Sequence, residues 1–330
     1  MEQVISDVVI GESAVMRDMM SRAELVAKAR KTTLITGPTG VGKDVLASWL
    51  HRRGQSPDAP FVTVNCGALP ESLIESELFG HLRGAFTGAQ DTRKGLIKNA
   101  AGGTLFLDEI NSLCLNAQSK LLRFLETGEY RRVGSDHLEY ANVWVLAASN
   151  RNLQNEVQRG SFREDLLFRL AVMHLDIPPL RMRDGDIELL ARHFLTRVSN
   201  DLGTFTPRAV RAIYKYAWPG NVRELKARVE RAAYLSRSST IDMADLELDG
   251  LESSKELIME KKPLKKTSSI ALSDLYQLIE KEGLTLGDAI ARCEKAIIQA
   301  ALDVEHGNRT QAARRLGIHV RTMFKKLANE

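Results

Sequence analysis

Short apolar runs recur through the first half of the chain, spaced so that a helix fits between successive pairs. They lie at Thr33–Thr36, Phe61–Asn65, Thr104–Asp108, 143–148 and Met173–Asp176. Runs that are apolar on consecutive positions suit strands buried on both faces, as in a parallel sheet. The stretch 43–53 after the first run reads as a helix, and the alternation predicts an α/β fold. After Ile177-Pro178-Pro179 the period becomes helical, at about 186–202, 207–216 and 221–236. The first of these starts at an acid. The second follows Thr206-Pro207, a cap and then proline at the first helical position. Asn221 reads as the cap of the third. These helices form a small lid on the α/β core.

Residues 250–269 carry few large apolar side chains and include Lys261-Lys-Pro-Leu-Lys-Lys266, the composition of a linker. Its basic run is either solvated or grazes DNA, and solvation is the commoner case. A helix at 286–305 and two short helices follow. Domains are therefore expected at 1–178 (α/β), 179–249 (lid), 250–285 (linker) and 286–330 (all-helical), within a length of 330 residues that suits about two domains. Hydrophobic content of 44% with 27% charged residues is ordinary for a globular protein. The net charge of +4 decides little, but residues 307–330 hold six basic side chains against Glu330 alone. Such a tail fits either a polyanion partner or a solvated helix face. Cys66, Cys114 and Cys293 form no Cys-x-x-Cys pair and read as reduced thiols. No apolar run approaches roughly 20 residues and no signal peptide is visible, so a cytosolic location without a membrane partner is expected.

Chemistry enters at Gly37-Pro38-Thr39-Gly40-Val41-Gly42-Lys43-Asp44, between a strand and a helix. Glycines let backbone N–H groups face phosphates, the helix N-terminus adds positive potential, and Lys43 reaches the outer phosphates. Downstream, the strand Thr104–Asp108 ends in the acid pair Asp108-Glu109. With ATP as substrate, Asp108 would help hold Mg²⁺ and Glu109 would orient or activate the attacking water. Asp44 stands where most phosphate loops place a Ser/Thr hydroxyl.

An ATPase core does not require Gly84-Ala85-Phe86-Thr87-Gly88-Ala89, which lies between the two halves of that site. Its glycines permit a tight reversing tip that presents Phe86 and Thr87 outward, and an exposed Phe suits a partner contact. The bland alternative is a glycine-rich turn over a buried Phe. With this hexapeptide the chain resembles the sigma-54-dependent transcription activators, bacterial enhancer-binding proteins of the AAA+ class, continuously over about 9–249. The resemblance implies that the tip engages sigma-54 and that 129–140 forms a second pore loop supporting it. An acid at position 44 is usual in that family. It further implies that Asn65 restrains the catalytic glutamate and that Asn150 senses the γ-phosphate, with Ser149 replacing the usual Thr. Arg163 and Arg169, in Phe162-Arg163-Glu-Asp-Leu-Leu-Phe-Arg169, resemble arginine fingers acting on a neighbour's site in a homo-hexameric ring. Arg223, in Trp218-Pro-Gly-Asn-Val-Arg223, resembles the lid arginine that contacts the γ-phosphate.

The stretch 308–327 reads as a helix-turn-helix, with Thr310 as a cap, Ala312, Ala313 and Leu316 as a packing stripe, and Gly317 at the turn. Val320, Phe324 and Leu327 pack the second helix, leaving His319, Arg321, Thr322, Lys325 and Lys326 for groove and phosphates. The order resembles the Fis-type domain, although His319-Val320 departs from the residues common there, so base specificity does not carry over. Ile290, Cys293, Ile297, Ala301 and Val304 form a seam that suits a dimer interface, packing on the module's own helices, or both. The resemblance thus implies an ATP-driven activator that binds upstream enhancer DNA and opens promoters held by sigma-54 RNA polymerase. A general AAA+ unfoldase or loader would share the nucleotide residues but not the tip, and a repressor with a vestigial ATPase would not need them intact. About eight residues precede the ATPase region, so regulation is expected from a separate protein, from expression level, or from neither.

Overall fold

Five parallel strands carry the core: β1 (Thr33–Thr36), β2 (Phe61–Asn65), β3 (Thr104–Asp108), β4 (Trp144–Ser149) and β5 (Met173–Asp176), in the order β2-β3-β4-β1-β5. The structure is a computed structural model that describes residues 9–86, 89–199, 203–236 and 240–248, with scattered positions between 285 and 318. Every strand expected from the sequence is present, the fourth shifted by one residue. Strand period decides which side chains face which layer. Leu34, Leu105, Leu107, Val145 and Ala147 point to one layer, shared with helices α3 (Glu71–Phe79), α4 (Leu115–Thr127), α5 (Leu153–Gln158) and α6 (Glu164–Leu170). Ile35, Phe106, Leu146 and Ala148 point to the other, shared with α1 (Ala14–Ala29) and α2 (Lys43–Gly54).

Helix α1 is absent from the expectations above, although Met16, Met19, Ala23, Val26 and Ala27 recur at its buried face with three/four spacing. Ser13 caps it by accepting a bond from the Met16 N–H, and Arg30 ends it in the left-handed region at φ 47°.

The lid consists of α7 (Asp186–Ser199), α8 (Pro207–Lys215) and α9 (Asn221–Leu235) around Phe194, Ile213, Leu225 and Val229. Thr206 caps α8 as expected, its Oγ1 accepting from Ala209 N at 3.1 Å. The cap expected at Asn221 is displaced: Gly220 holds the cap position, and Asn221 turns its side chain elsewhere. Trp218 is 1% exposed and donates from Nε1 to the Ile213 carbonyl at 2.8 Å. Trp218→Ala is expected to destabilise the protein by about 3–5 kcal/mol, read as an earlier urea midpoint by circular dichroism. A loss below about 1 kcal/mol would mean that the site collapses around the missing ring.

The chain divides at 254/255 into two units. In the second, Ile298 and Ala313 are buried with Ala301, Leu302, Leu316 and Ile318 against them. Of the expected seam, Ala301 packs there, whereas Ile297 is 57% exposed and its neighbour Ile298 takes the buried place. Asn308, not anticipated as a cap, accepts from Gln311 N at 3.2 Å. Ile290, Cys293, Val304, Thr310, Ala312, Gly317, Val320, Phe324 and Leu327 lie outside the described residues, as does the basic linker. Among the described residues no helix is long and apolar enough to cross a membrane.

Candidate functional site

The loop from Gly37 to Gly42 links β1 to α2 with three glycines at positive φ, namely 148°, 80° and 98° at Gly37, Gly40 and Gly42. A Cβ at Gly37 would stand 2.7 Å from the Ile177 carbonyl, and one at Gly40 would overlap the Gly220 carbonyl. Lys43, first residue of α2, is buried, and its Nζ donates to the Gly37 and Pro38 carbonyls at 2.8 and 3.0 Å. Burial pushes its ammonium pKa down, opposed by the carboxylates of Asp108 and Asp44. Asn150, just beyond β4, donates to Thr39 Oγ1 at 3.4 Å, while its Oδ1 is buried without a partner. The Ser149 hydroxyl before it lies within bonding distance of Asn111 and of the Arg151 backbone.

Register sets Asn65 opposite Asp108 on the neighbouring strands β2 and β3. Burial raises the Asp108 carboxyl pKa, against the Glu109 N–H that it accepts at 2.9 Å and the charge of Lys43. Glu109 sits at φ 53°, a costly conformation for a side chain of this kind. Its carboxylate lies over Gly67, where a Cβ would displace Glu109 Oε2 and lie 3.3 Å from Asn65 Oδ1. That Oδ1 accepts from the N–H groups of Gly67 and Ala68 at 2.8 and 3.1 Å, which fixes the amide of Asn65 beside the glutamate. The Cys66 thiol, beneath both acids, is pushed up to about 12 by burial and then by their charge. Among the described residues no group of three or more His, Cys, Asp or Glu side chains gathers as a metal site. The carboxylates of Asp108, Asp44 and Glu109 act on Lys43 by their charge, and oxygen donors of this kind suit a hard cation.

Arg163 and Arg169 are engaged by their own chain. Arg163 forms a bidentate pair with Asp165 at 3.0 and 2.7 Å and donates to Ser119, while Arg169 donates twice to the Leu125 carbonyl at 3.0 and 2.9 Å. Both stand on or just before α6, outside the phosphate loop's own hydrogen bonds.

The lid bonds two backbone carbonyls of the loop. Arg223 N donates to the Gly40 carbonyl at 3.1 Å, and Asn221 Nδ2 to the Thr39 carbonyl at 3.0 Å. Beside the loop is an apolar pocket of about 80 Å³ lined by Val9, Ile10, Val41, Leu190, His193 and Val222 among others. Arg183 at its rim is buried, donates to the Pro178 and Val41 carbonyls, and has its pKa pushed down to about 10 by burial. Asp186 reaches from α7 to accept from the N–H groups of Glu12 and Ser13 and from the Ser13 hydroxyl. None of these contacts was legible in the sequence. Their one visible trace is a buried-type acid and arginine flanking the lid's first helix.

The hexapeptide rises from a stem in which Gly80 and His81 pair antiparallel with Lys94 and Arg93. Gly84 is at φ 80°, its N–H bonds the Ala89 carbonyl at 2.9 Å, and Ala89 is buried. Phe86 is not presented outward as expected. It is half-buried, its ring edge-on to His81 at 5.1 Å, because the turn folds the tip back over its own stem. Thr87 and Gly88 lie outside the described residues. The second loop stands against the first: Leu82 N donates to the Val133 carbonyl at 3.0 Å, Val133 N to the Gly80 carbonyl at 2.8 Å, and Ala85 packs on Gly134. His319, Arg321, Thr322, Lys325 and Lys326 also lie outside the described residues.

Residues 9–176 match the family described as the sigma-54 interaction domain. Residues 181–262 match the AAA+ ATPase lid domain, and 289–329 the Fis family of bacterial regulatory proteins. The chain is 44% identical over 330 residues to nitric oxide reductase transcription regulator NorR2 of Cupriavidus necator, covering 96% of this chain and 62% of that one. It is 41% identical over 323 residues to transcriptional regulatory protein ZraR of Salmonella typhi, covering 97% and 68%. Among solved structures, NtrX from Brucella abortus in complex with ATP superposes with a TM-score of 0.66 at 28% identity, covering 97% of this chain and 68% of that one.

Proposed function

Because the chain belongs to the family of sigma-54-dependent transcription activators, we propose that it hydrolyses ATP to remodel the closed complex of sigma-54 RNA polymerase. The observation that carries this proposal is the convergence of Lys43, Asp108, Glu109, Asn150 and the lid on one phosphate-sized loop, with the hexapeptide held apart from it on its own stem. The phosphates of ATP would lie on the N–H groups of 37–44, drawing Lys43 from the carbonyls it now bonds. The apolar pocket beside the loop suits the purine base, and a relative's crystal structure in complex with ATP supports a nucleotide here. Asp108 would help hold magnesium, which would supply positive charge against that of the phosphates. Glu109 takes the proton of the attacking water, Asn65 restrains Glu109, and Asn150 and Arg223 report the γ-phosphate.

Arg163 and Arg169 act on a neighbouring copy in a homo-hexameric ring, exchanging Asp165 and the Leu125 carbonyl for its phosphate oxygens. Residues 84–89 contact sigma-54. The Fis-type module binds enhancer DNA through His319, Arg321, Thr322, Lys325 and Lys326. The chain spans 62% of the length of the first relative above.

A promoter-opening assay with sigma-54 holoenzyme and ATP tests the proposal. Removing 307–330 is expected to abolish salt-sensitive DNA binding while leaving ATP turnover and some activation at high protein concentration. ATP turnover without any promoter opening would instead favour a general AAA+ remodeller.

A further inference from the structure

We propose that Asn221 is a positioning residue that latches the lid to the phosphate loop, so that lid angle and loop conformation form a single equilibrium. The inference rests on the nucleotide reading above and goes beyond it, since it concerns no residue that touches nucleotide. Asn221 is 3% exposed and uses both ends of its carboxamide. Its Nδ2 donates to the Thr39 carbonyl at 3.0 Å, 182 positions away in sequence, and its Oδ1 accepts from Leu180 N at 2.9 Å. One side chain thus joins the phosphate loop, the segment leading into the lid, and the start of α9.

Two neighbouring features complete the latch. Arg223 N donates to the Gly40 carbonyl at 3.1 Å, and the Gly220 carbonyl fills the space that any side chain at Gly40 would need. Asn221 itself lies at φ 52°, where asparagine is among the few residues tolerated. An ordinary first helical residue would take neither that backbone nor those partners. Swinging the lid away would break the bonds to Thr39 and Gly40 together and leave buried groups unpaired. Any ligand that tightens the loop therefore favours the docked lid, and by linkage the docked lid favours the ligand.

Asn221→Asp is isosteric, keeps the acceptor for Leu180, and replaces the donor that serves Thr39 and, at 3.4 Å, the Pro219 carbonyl of its own turn. Equilibrium binding of fluorescent ADP and ATP analogues to the full chain is expected to weaken by roughly ten- to a hundredfold, by the same factor for both. Arg223→Ala should instead weaken ATP more than ADP. Below the pKa of the new carboxyl, its O–H becomes a donor to Thr39, so the parent-to-variant affinity ratio should fall towards one as the pH is lowered. Arg223 and Glu224 on α9, Lys43 and Asp44 at the loop, and Arg183 before the lid are the charged groups around this position in parent and variant alike. Asn221→Gly accepts the backbone but loses both bonds, and should bind weakly at every pH. Parent-like binding by Asn221→Asp or Asn221→Gly, or a weakness of Asn221→Asp that acid does not relieve, would overturn the latch alone. Failure of the parent to bind either nucleotide would overturn the reading beneath it.

Discussion

Replacing Thr87 by Ala is expected to leave ATP turnover within a few-fold of the parent while promoter opening is lost altogether. The hexapeptide hangs on the Gly80–His81 stem, and none of its described residues bonds the phosphate loop, the acid pair or the arginine segment. The bonds of its described residues run within the turn, from Gly84 N to Ala89 and from Ala89 N to Phe86, and to the adjoining Leu82 carbonyl from Ala85 N. Hydrolysis therefore has no structural need of the tip, whereas a grip on sigma-54 does. Phe86→Ala is the less clean variant, because that ring packs on His81, which in turn bonds Ser76 on α3. Binding to sigma-54 in a transition-state analogue complex, measured beside turnover and promoter opening, separates the two roles. Parallel loss of turnover would assign the tip to folding or assembly. Full activation by both variants would leave the hexapeptide without a partner.

Glu109→Gln is expected to slow hydrolysis by about 10²–10⁴-fold while nucleotide binding persists, because an amide cannot accept the proton from water. The substitution preserves shape, so the unusual backbone at φ 53° and the fit over Gly67 stay as they are. Lys43→Ala should do the reverse and weaken binding first. Equilibrium binding and single-turnover rates, measured on both variants, make the distinction. Equal loss of binding in the two would place Glu109 among the structural residues.

What the sequence disclosed and what it hid divide along sequence distance. The phosphate loop, the acid pair and the five strands are written in local patterns, and Thr206-Pro207 announces a helix start within three residues. The latch at Asn221 joins positions 182 apart, and Asp186 reaches Ser13 across 173. Pairings of that span leave no mark in a single sequence, so Asn221 reads as an ordinary cap. Phe86 misleads for another reason: glycines on both sides suggest display, and only the folded turn shows His81 within reach. The seam near Ile297 slips because two adjacent isoleucines satisfy the same spacing rule, and packing alone chooses Ile298.

The stem under the hexapeptide has a mechanical consequence. Two residue pairs make a short, compliant hinge, and a tip mounted on it alone would bend under load. The bridge between His81 and Val133, with the bonds that Val133 makes to Gly80 and Leu82, adds a strut from the second loop. A strut on one side stiffens the lever in the plane of the two loops and leaves it soft across that plane. Force at the tip would then be transmitted along one direction, and its ceiling would be set by how much load the strut bears before it yields.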